Sequence, residues 1–372
     1  MEPLTVNELV KKILDKEEVF LLDVRKQEDY EDWSVEGKSI RSMNIPFSDL
    51  KNKVEEVKQQ LPEDKTIYVM CAKGVSSKQA VQLLEDAGVE NITHVKGGMT
   101  AWSEHLEPIK IGETSKGGSL YQFVRIGKGC LSYLIESNGD VAIVDSNRMA
   151  DVYLDFVKKN NWTIQAVIDT HLHADHISGG YSISKKSNAS YWFPPEDDEG
   201  LEFEYSALKE NQTIQIGDIK IEPIYSPGHT VGSTSLIVDN QFLLTGDILF
   251  IESIGRPDLA GKADAWVDDL RNTLYERYEE LPQDLIVLPS HFGDMNEMNE
   301  DGSVQAKLND LYKKNERLNI DDAETFNHMV TDNLPPQPNS HEEIRKTNMG
   351  QKNPDDDEKQ EMEVGPNRCA VS

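Results

Sequence analysis

The chain has 372 residues and a formal net charge of −29 at pH 7, with 37% hydrophobic and 28% charged residues. This length predicts two domains, and the hydrophobic fraction is sufficient for each to have a core. An acidic surface repels nucleic acids and anionic membranes, so neither is expected as a partner. The three cysteines, Cys71, Cys130 and Cys369, form a poor disulfide framework and suit a reducing compartment. Because the N-terminus lacks a signal-peptide pattern and no apolar stretch reaches membrane-spanning length, we predict a cytoplasmic protein.

The first hundred residues alternate between helix-like and strand-like patterns. Amphipathic spacing over residues 4–14 predicts a helix, and apolar runs at residues 19–24 and 67–70 predict buried strands. Residues 77–87 predict a further helix, which Gly88 ends. This alternation predicts an α/β domain with a mostly parallel sheet over residues 1–110. The polar, glycine-containing residues 111–118 are expected to form a linker.

A strand-rich region follows. The pair Asn138-Gly139 between apolar runs at residues 131–135 and 141–144 predicts a β-hairpin. Further strands are predicted at residues 214–221, 242–244 and 285–288, and a helix at residues 266–281. We expect a second domain at residues 119–310 and a helical, then proline-rich, segment at residues 311–350. Residues 351–372 are acidic with few large apolar groups, so they are expected to form a disordered and dispensable tail.

Histidines cluster in three short segments of the second domain. An isolated histidine is usually a hydrogen-bonded polar residue, and this is our interpretation of His94, His105, His328 and His341. The segment T-H-L-H-A-D-H instead places three imidazoles and a carboxylate within six residues, on a loop after a predicted strand. Imidazole and carboxylate are the usual ligands of zinc and iron, so a shared metal ion is predicted. The candidate ligands are His171, His173, Asp175, His176, His229, Asp247 and His291.

The order of these motifs resembles a known fold. T-H-x-H-A-D-H, P-G-H-T, T-G-D and P-S-H, in this order, are similar to the metallo-β-lactamase fold over about residues 119–298. The resemblance implies an αββα sandwich with the metal site at one edge of two packed sheets. Hydrolases of this fold bind two zinc ions with residues at these seven positions. A thioester hydrolase of the glyoxalase II type is therefore one interpretation.

The segment after Asp247 favours a different activity. The G-R-P-D sequence that contains Arg256 and Asp258 resembles the G-R-x-D element of persulfide dioxygenases, also called sulfur dioxygenases. That resemblance implies one Fe(II) per chain held by His171, His229 and Asp247. Two histidines and a carboxylate leave open positions for a persulfide sulfur and for O2. His173, Asp175, His176 and His291 would support these ligands or form a second metal site.

Arg256 has two interpretations. Its planar guanidinium suits bidentate pairing with the carboxylate of a thiol carrier, and we expect Arg256 and Asp258 in the substrate site. The alternative is a structural salt bridge between the two residues.

A second chemical motif lies in the first domain. Cys71 follows a predicted strand, and the chain then turns through Gly74 into a helix. Backbone N–H groups and the positive end of a helix would surround its sulfur and stabilise an anion, and Lys73 adds charge. The alternative is a cysteine that only fills the core. The loop, with Lys73, Gly74, Ser76 and Ser77, resembles the rhodanese family, as do L-D-V-R, M-N-I-P and G-G-M-T-A-W elsewhere in residues 4–108.

The two resemblances together imply a sulfide-detoxifying enzyme. Cys71 would carry sulfur as a persulfide, and the metal domain would oxidise a small thiol persulfide with O2 to sulfite and thiol. Many rhodaneses have an arginine near the position of Ser76, so thiosulfate is not favoured as the donor. The sequence does not distinguish glutathione, coenzyme A and bacillithiol as carriers, and it leaves open the direction of sulfur flow and homo-oligomer formation. A two-zinc hydrolase with a rhodanese appendage and a non-catalytic sulfur-carrier protein remain alternatives.

Overall fold

The N-terminal part forms a small parallel sheet flanked by helices. The computed structural model describes residues 1–257, 263–332, 337, 339–365 and 370–371. The helices of the first domain are α1 (Val6–Leu14), α2 (Gln27–Asp32), α3 (Phe47–Asn52), α4 (Val54–Lys58), α5 (Val75–Asp86) and α6 (Gly98–Glu104). Its strands are β1 (Val19–Asp23), β2 (Ile40–Asn44), β3 (Ile67–Met70) and β4 (Ile92–His94), in the spatial order β2-β1-β3-β4. All neighbouring strands are parallel, which confirms the predicted α/β class.

A seven-stranded sheet begins before the expected linker. Its strands are β5 (Glu107–Glu113), β6 (Ser119–Arg125), β7 (Cys130–Ser137), β8 (Asp140–Val144), β9 (Thr163–Ile168), β10 (Ser190–Phe193) and β11 (Ser206–Ala207). The prediction of a linker at residues 111–118 is wrong, because β5 extends to Glu113 and pairs with β6. Residues 114–118 only turn the chain between these two strands. The boundary between the sheets therefore lies between α6 and β5.

A second sheet faces the first. The chain continues through β12 (Ile214–Ile216), β13 (Ile219–Tyr225), β14 (Thr234–Val238), β15 (Phe242–Gly246), β16 (Ile254–Gly255), β17 (Ile286–Pro289) and β18 (Ala306–Lys307). Six of these strands form a sheet in the order β12-β13-β14-β15-β17-β18. The single strand expected at residues 214–221 is wrong, because Gly217 adopts a left-handed φ of 50° and reverses the chain into the antiparallel β12–β13 hairpin. The Asn138-Gly139 hairpin is confirmed, with φ of 55° and 86°.

Helices cover the outer faces of both sheets. The helices are α7 (Ala150–Lys159), α8 (Gly180–Ser187), α9 (Ala263–Asn272), α10 (Leu308–Lys314) and α11 (Ala323–Thr331). One buried cluster, which includes Tyr153, Ile183 and Leu134, packs α7 and α8 on the first sheet. Another, which includes Leu270, Leu308 and Phe326, packs α9, α10 and α11 on the second. The arrangement is the expected αββα sandwich. No helix among the described residues has the length and apolar composition needed to cross a bilayer.

The described C-terminal residues pack on the second domain. Helices α12 (His341–Asn348) and α13 (Asp356–Glu363) follow, and β19 (Ala370–Val371) pairs antiparallel with β16. The expectation of a disordered tail is wrong for residues 356–363, because Asp355 and Glu358 form a capping box that starts α13 and Glu363 is 1% exposed. The expected proline-rich stretch at residues 333–338 lies outside the described residues except for Gln337.

The two domains share an interface. Trp33 of the first domain donates its indole N–H to the carbonyl of Gly127 at 2.8 Å. The buried Trp102 on α6 also lies against Gly127, where a Cβ would clash with the Trp102 carbonyl at 2.5 Å. One hydrophobic cluster, which includes Leu9, Trp102 and Leu131, therefore continues from α1 through α6 into the sandwich.

Candidate metal centre and sulfur loop

The predicted metal residues meet at one edge of the sandwich. His171, His173, Asp175 and His176 lie on the loop after β9, and His229, Asp247 and His291 follow β13, β15 and β17. Each of the seven side chains is 1% exposed. Burying so many titratable groups is costly unless they are paired or bind a cation.

Three of these residues form a compact acceptor set. His171 Nε2 lies 3.6 Å from Asp247 Oδ2, and His229 Nε2 lies 3.4 Å from the same oxygen. No donor within the described part of the chain hydrogen-bonds to any of these three buried atoms. Two ring nitrogens and a carboxylate oxygen within 4.8 Å of one another fit a metal ion, which would satisfy all three together.

The hydrogen bonds behind both rings select the tautomer that a metal needs. His229 Nδ1 lies 2.8 Å from the carbonyl of Arg256, which can only accept, so Nδ1 carries the proton and Nε2 keeps its lone pair. His171 Nδ1 lies 3.0 Å from Thr170 Oγ1, whose own proton goes to Asp145 Oδ2. Burial and its histidine neighbours hold the pKa of His171 well below its ordinary value, and burial also lowers that of His229. Neutral imidazoles are the ligand form.

His291 links two carboxylates. Its Nδ1 lies 2.7 Å from Asp247 Oδ1 and its Nε2 lies 2.9 Å from Asp175 Oδ2. Burial opposes its charge, but Asp247 and Asp175 raise the pKa of His291 well above its ordinary value. These two bonds hold the Asp247 carboxylate so that its Oδ2 faces His171 and His229.

Asp175, His176 and His291 form a second group that contains an unexpected member. His176 Nδ1 lies 3.0 Å from Asp175 Oδ1, and Cys130 Sγ lies 3.5 Å from Asp175 Oδ2. Nothing in its sequence context singled out Cys130 as a potential metal ligand. The Sγ of Cys130 and one potential ligand atom each from Asp175, His176 and His291 all lie within 4.8 Å of one another. This group is where a second ion would bind.

His173 packs against His171 and His176, with ring centroids 4.2 and 4.3 Å away, but its nearest carboxylates belong to other residues. Its Nε2 lies 3.3 Å from Asp145 Oδ1 and 3.8 Å from Asp169 Oδ1. Burial opposes protonation, but the two carboxylates raise the pKa of His173 well above its ordinary value. The seven predicted residues are thus brought together but divided into three groups.

The strand before Arg256 lies directly against the centre. A Cβ on Gly255 would lie 1.7 Å from the carbonyl oxygen of Asp247, so only glycine permits this approach. Arg256 is fully buried, and its backbone carbonyl orients His229. Asp258 lies outside the described residues.

The Cys71 loop has the expected strand-to-helix geometry. Cys71 is 3% exposed, its Sγ accepts the Gly74 N–H at 3.1 Å, and Sγ lies 3.2 Å from Ser77 Oγ. Lys73 is exposed and Ser76 is half-buried. Gly98 closes the loop from behind, because a Cβ there would lie 2.1 Å from the Cys71 carbonyl oxygen. The carbonyl of Cys71 also accepts the Met99 N–H at 2.9 Å, which ties α6 to the sulfur loop.

Two C-terminal residues at the centre were missed from the sequence. Asn348 and Glu363 hydrogen-bond to the backbone of the loop that carries His171 to His176. The D-x-x-E capping box that begins α13 is the signal that could have identified a folded segment there. The bonding role of Glu363 has no sequence signal, because its partners lie far away in the chain.

Sequence and structure comparisons agree with this architecture. Residues 5–105 match the rhodanese-like domain family, and residues 125–291 match the metallo-beta-lactamase superfamily. A hydroxyacylglutathione hydrolase of Actinobacillus pleuropneumoniae is 28% identical over 189 residues, 50% of this chain and 76% of that protein. A probable metallo-hydrolase of Bacillus subtilis is 27% identical over 179 residues, 43% of this chain and 83% of that protein.

Two solved structures have the same fold. A metallo-beta-lactamase from Staphylococcus aureus superposes with a TM-score of 0.57 at 24% identity, covering 63% of this chain and 73% of that one. ETHE1 from Myxococcus xanthus superposes with a TM-score of 0.55 at 21% identity, covering 62% of this chain and 97% of that one. The chain is a fusion of an N-terminal rhodanese-like domain with a domain of the metallo-β-lactamase superfamily.

Proposed function

We propose that the protein is a persulfide dioxygenase with a sulfur-transferring rhodanese domain. The observation that carries the proposal is the set of three buried acceptor atoms, His171 Nε2, His229 Nε2 and Asp247 Oδ2. His291 and Asp175 instead hydrogen-bond to neighbouring side chains, and His173 lies in ion-pair distance of Asp145. Outside the first set, His176 Nε2 is a further buried atom without a hydrogen-bond partner among the described residues. This division favours one ion in the first set over two ions shared by all seven residues.

The donor set fits iron. Two imidazoles and one carboxylate are the protein ligands of many iron(II) oxygenases, which keep open coordination positions. When bound, iron(II) would supply the redox chemistry that lets a persulfide react with O2. Overall, one persulfide, one O2 and one water would give one thiol, one sulfite and two protons.

The chain's own residues would prepare the site. His291 holds Asp247, and the Arg256 carbonyl holds His229, so both ligands are oriented before metal binding. We propose that the Arg256 guanidinium pairs with a carboxylate of the thiol carrier. We also propose that Asp258 belongs to the same substrate site. Because Arg256 is fully buried, this contact requires Arg256 to become accessible to the carrier.

We assign sulfur transfer to Cys71. Its thiolate would attack the outer sulfur of a donor persulfide, the donor's S–S bond would break, and the donor would leave as a thiolate. Cys71 would then hold the sulfur as a persulfide, stabilised by the Gly74 N–H and by Ser77. Attachment to the metal domain would raise the local concentration of this sulfur.

A second candidate is a two-zinc thioester hydrolase. The related hydroxyacylglutathione hydrolases favour it, as does the second ligand group of Cys130, Asp175, His176 and His291. In that case the metal domain would hydrolyse a glutathione thioester and consume no O2.

One experiment separates the two candidates. Metal-free protein is loaded with iron(II) or with zinc. In one assay each form receives the persulfide of glutathione, coenzyme A or bacillithiol, and O2 uptake is measured. In the other assay each form receives a hydroxyacylglutathione, and thioester hydrolysis is measured. We expect O2 uptake with a persulfide only in the iron form, at one iron per chain. Thioester hydrolysis by the zinc form, with no O2 uptake by the iron form, would refute the dioxygenase proposal.

A further inference from the structure

The C-terminal helices hold the backbone of the metal loop, defined here as residues 171–178. Asn348, at the end of α12, donates its amide N–H groups to the carbonyls of His173 at 3.0 Å and His176 at 2.9 Å. Its Oδ1 accepts the Ser178 N–H at 2.9 Å. One amide side chain, 8% exposed, therefore crosslinks three points of the loop.

Glu363, at the end of α13, holds the next peptide. Its Oε1 accepts the Ile177 N–H at 2.7 Å, directly after His176. Its Oε2 accepts from Arg125 at 3.0 Å and from Arg148 at 2.7 Å. The side chains of Glu363 and Arg125 are almost completely buried. One carboxylate oxygen of Glu363 therefore pairs with the two arginines away from water, while the other holds the metal loop.

The same carboxylate is linked to the sulfur domain. Arg125 donates to the carbonyl of Ser103, and Arg148 pairs with Glu104, both at the end of α6. The start of α6 is bonded to the carbonyl of Cys71. Glu363 thus lies where the metal loop and the helix behind the sulfur loop are joined.

We propose that Asn348 and Glu363 are positioning residues of the metal centre. They act through the loop: its backbone places Asp175, Asp175 bonds His291, and His291 bonds the ligand Asp247. If the loop shifted, Asp175 would move away from His291 and Asp247 Oδ2 would lose its orientation. The inference rests on the proposed triad of His171, His229 and Asp247, but not on iron or on dioxygenase activity.

The test uses the full chain loaded with cobalt(II), whose visible spectrum reports ligand geometry, followed by release of cobalt to a chelator. Asn348→Asp keeps the side chain's shape but removes the two hydrogen bonds that the amide donates to the carbonyls of His173 and His176. It places a negative carboxylate beside those carbonyl oxygens instead. Glu363→Asp keeps the charge between the arginines but shortens its reach to the Ile177 N–H. The matched controls are Asn339→Asp and Glu361→Asp, at exposed positions of the same C-terminal region.

We expect both positioning variants to change the cobalt spectrum and to release cobalt faster than the wild type, with an affinity lower by about tenfold to hundredfold, as for lost outer contacts at other metal sites. The controls should match the wild type, and sulfur transfer by Cys71 should continue in every folded variant. Unchanged spectra and release rates would overturn the inference, as would faster release that merely follows faster global unfolding. A zinc hydrolase would still show these effects, so failure of the dioxygenase proposal is distinguishable.

Discussion

Removing the Asp247 carboxylate should affect both metal binding and the stability of the metal-free protein. In Asp247→Ala, the triad loses its only carboxylate, so we expect metal affinity to fall by more than the hundredfold typical of lost outer contacts. His291 also loses the partner that lies 2.7 Å from its Nδ1. Breaking a buried ion pair costs about 3–5 kcal/mol. Because Asp175 still pairs with His291 Nε2, we expect the free energy of unfolding to fall by about 3 kcal/mol, the lower end of this range.

Thermal unfolding of the metal-free protein measures the second effect. In a domain of this size about 1 kcal/mol corresponds to about 2–4 °C, so the metal domain of Asp247→Ala should unfold about 6–12 °C lower. Asp284→Ala, at an exposed position of the same domain, is the matched control and should unfold like the wild type. An unchanged melting temperature for metal-free Asp247→Ala would show that His291 is not a charged bridge, and our account of the centre would be wrong.

Three further outcomes are expected. Cys71→Ser should abolish sulfur transfer to a thiol, measured by persulfide formation, and leave O2 uptake from a free persulfide nearly unchanged; loss of O2 uptake would mean that the domains share one active site. Truncation after Gly350 should lower the melting temperature and metal retention, because Arg125 loses its buried partner Glu363; a truncated protein identical to the full chain would contradict this. In the metal-free protein Glu363 has its pKa lowered from 4.5 to about 2: burial opposes the shift, which Arg125 and Arg148 cause. Its stabilisation is therefore complete above about pH 4.5 and lost as the pH falls toward 2. The stability gap between wild type and Glu363→Gln should narrow over that interval, and a constant gap in urea unfolding would count against the charge pairing.

Local patterns were sufficient to predict most elements near the two motifs. The strand before Cys71 and the helix after it follow from an apolar run and a glycine, and Asn138-Gly139 specified its hairpin through two left-handed residues. The seven predicted metal residues were found from the crowding of residues 171–176 and from the short motifs that contain His229, Asp247 and His291. The structure brings all seven to the same edge of the sandwich. In such cases the signal lies within a few residues of the structure that it specifies.

The division of the seven residues could not be read from spacing. His173 is paired with Asp145 and Asp169, two carboxylates from neighbouring strands of the first sheet, and nothing in H-x-H states that pairing. Cys130 reaches Asp175 only because β7 begins beside His291. These contacts depend on how strands are aligned in three dimensions.

The C-terminal error has a related cause. Average composition over residues 351–372 indicates disorder, but docking of α13 depends on one glutamate that meets the buried Arg125. The error at residues 111–113 is smaller: polar residues and glycine are compatible with the edge strand β5, whose outer side has no neighbouring strand in the sheet.

The bond between Arg125 and Glu363 joins residues 238 positions apart, which sets the order in which the protein can fold during synthesis. The N-terminal domain contains all its own strands and can fold while the ribosome is still translating the sandwich. Arg125 cannot form its ion pair until residue 363 has been synthesised. Docking of α13 is therefore a late event in synthesis. A chain that stops before Glu363 leaves a buried cation without its carboxylate, which would make it a target for quality-control proteases.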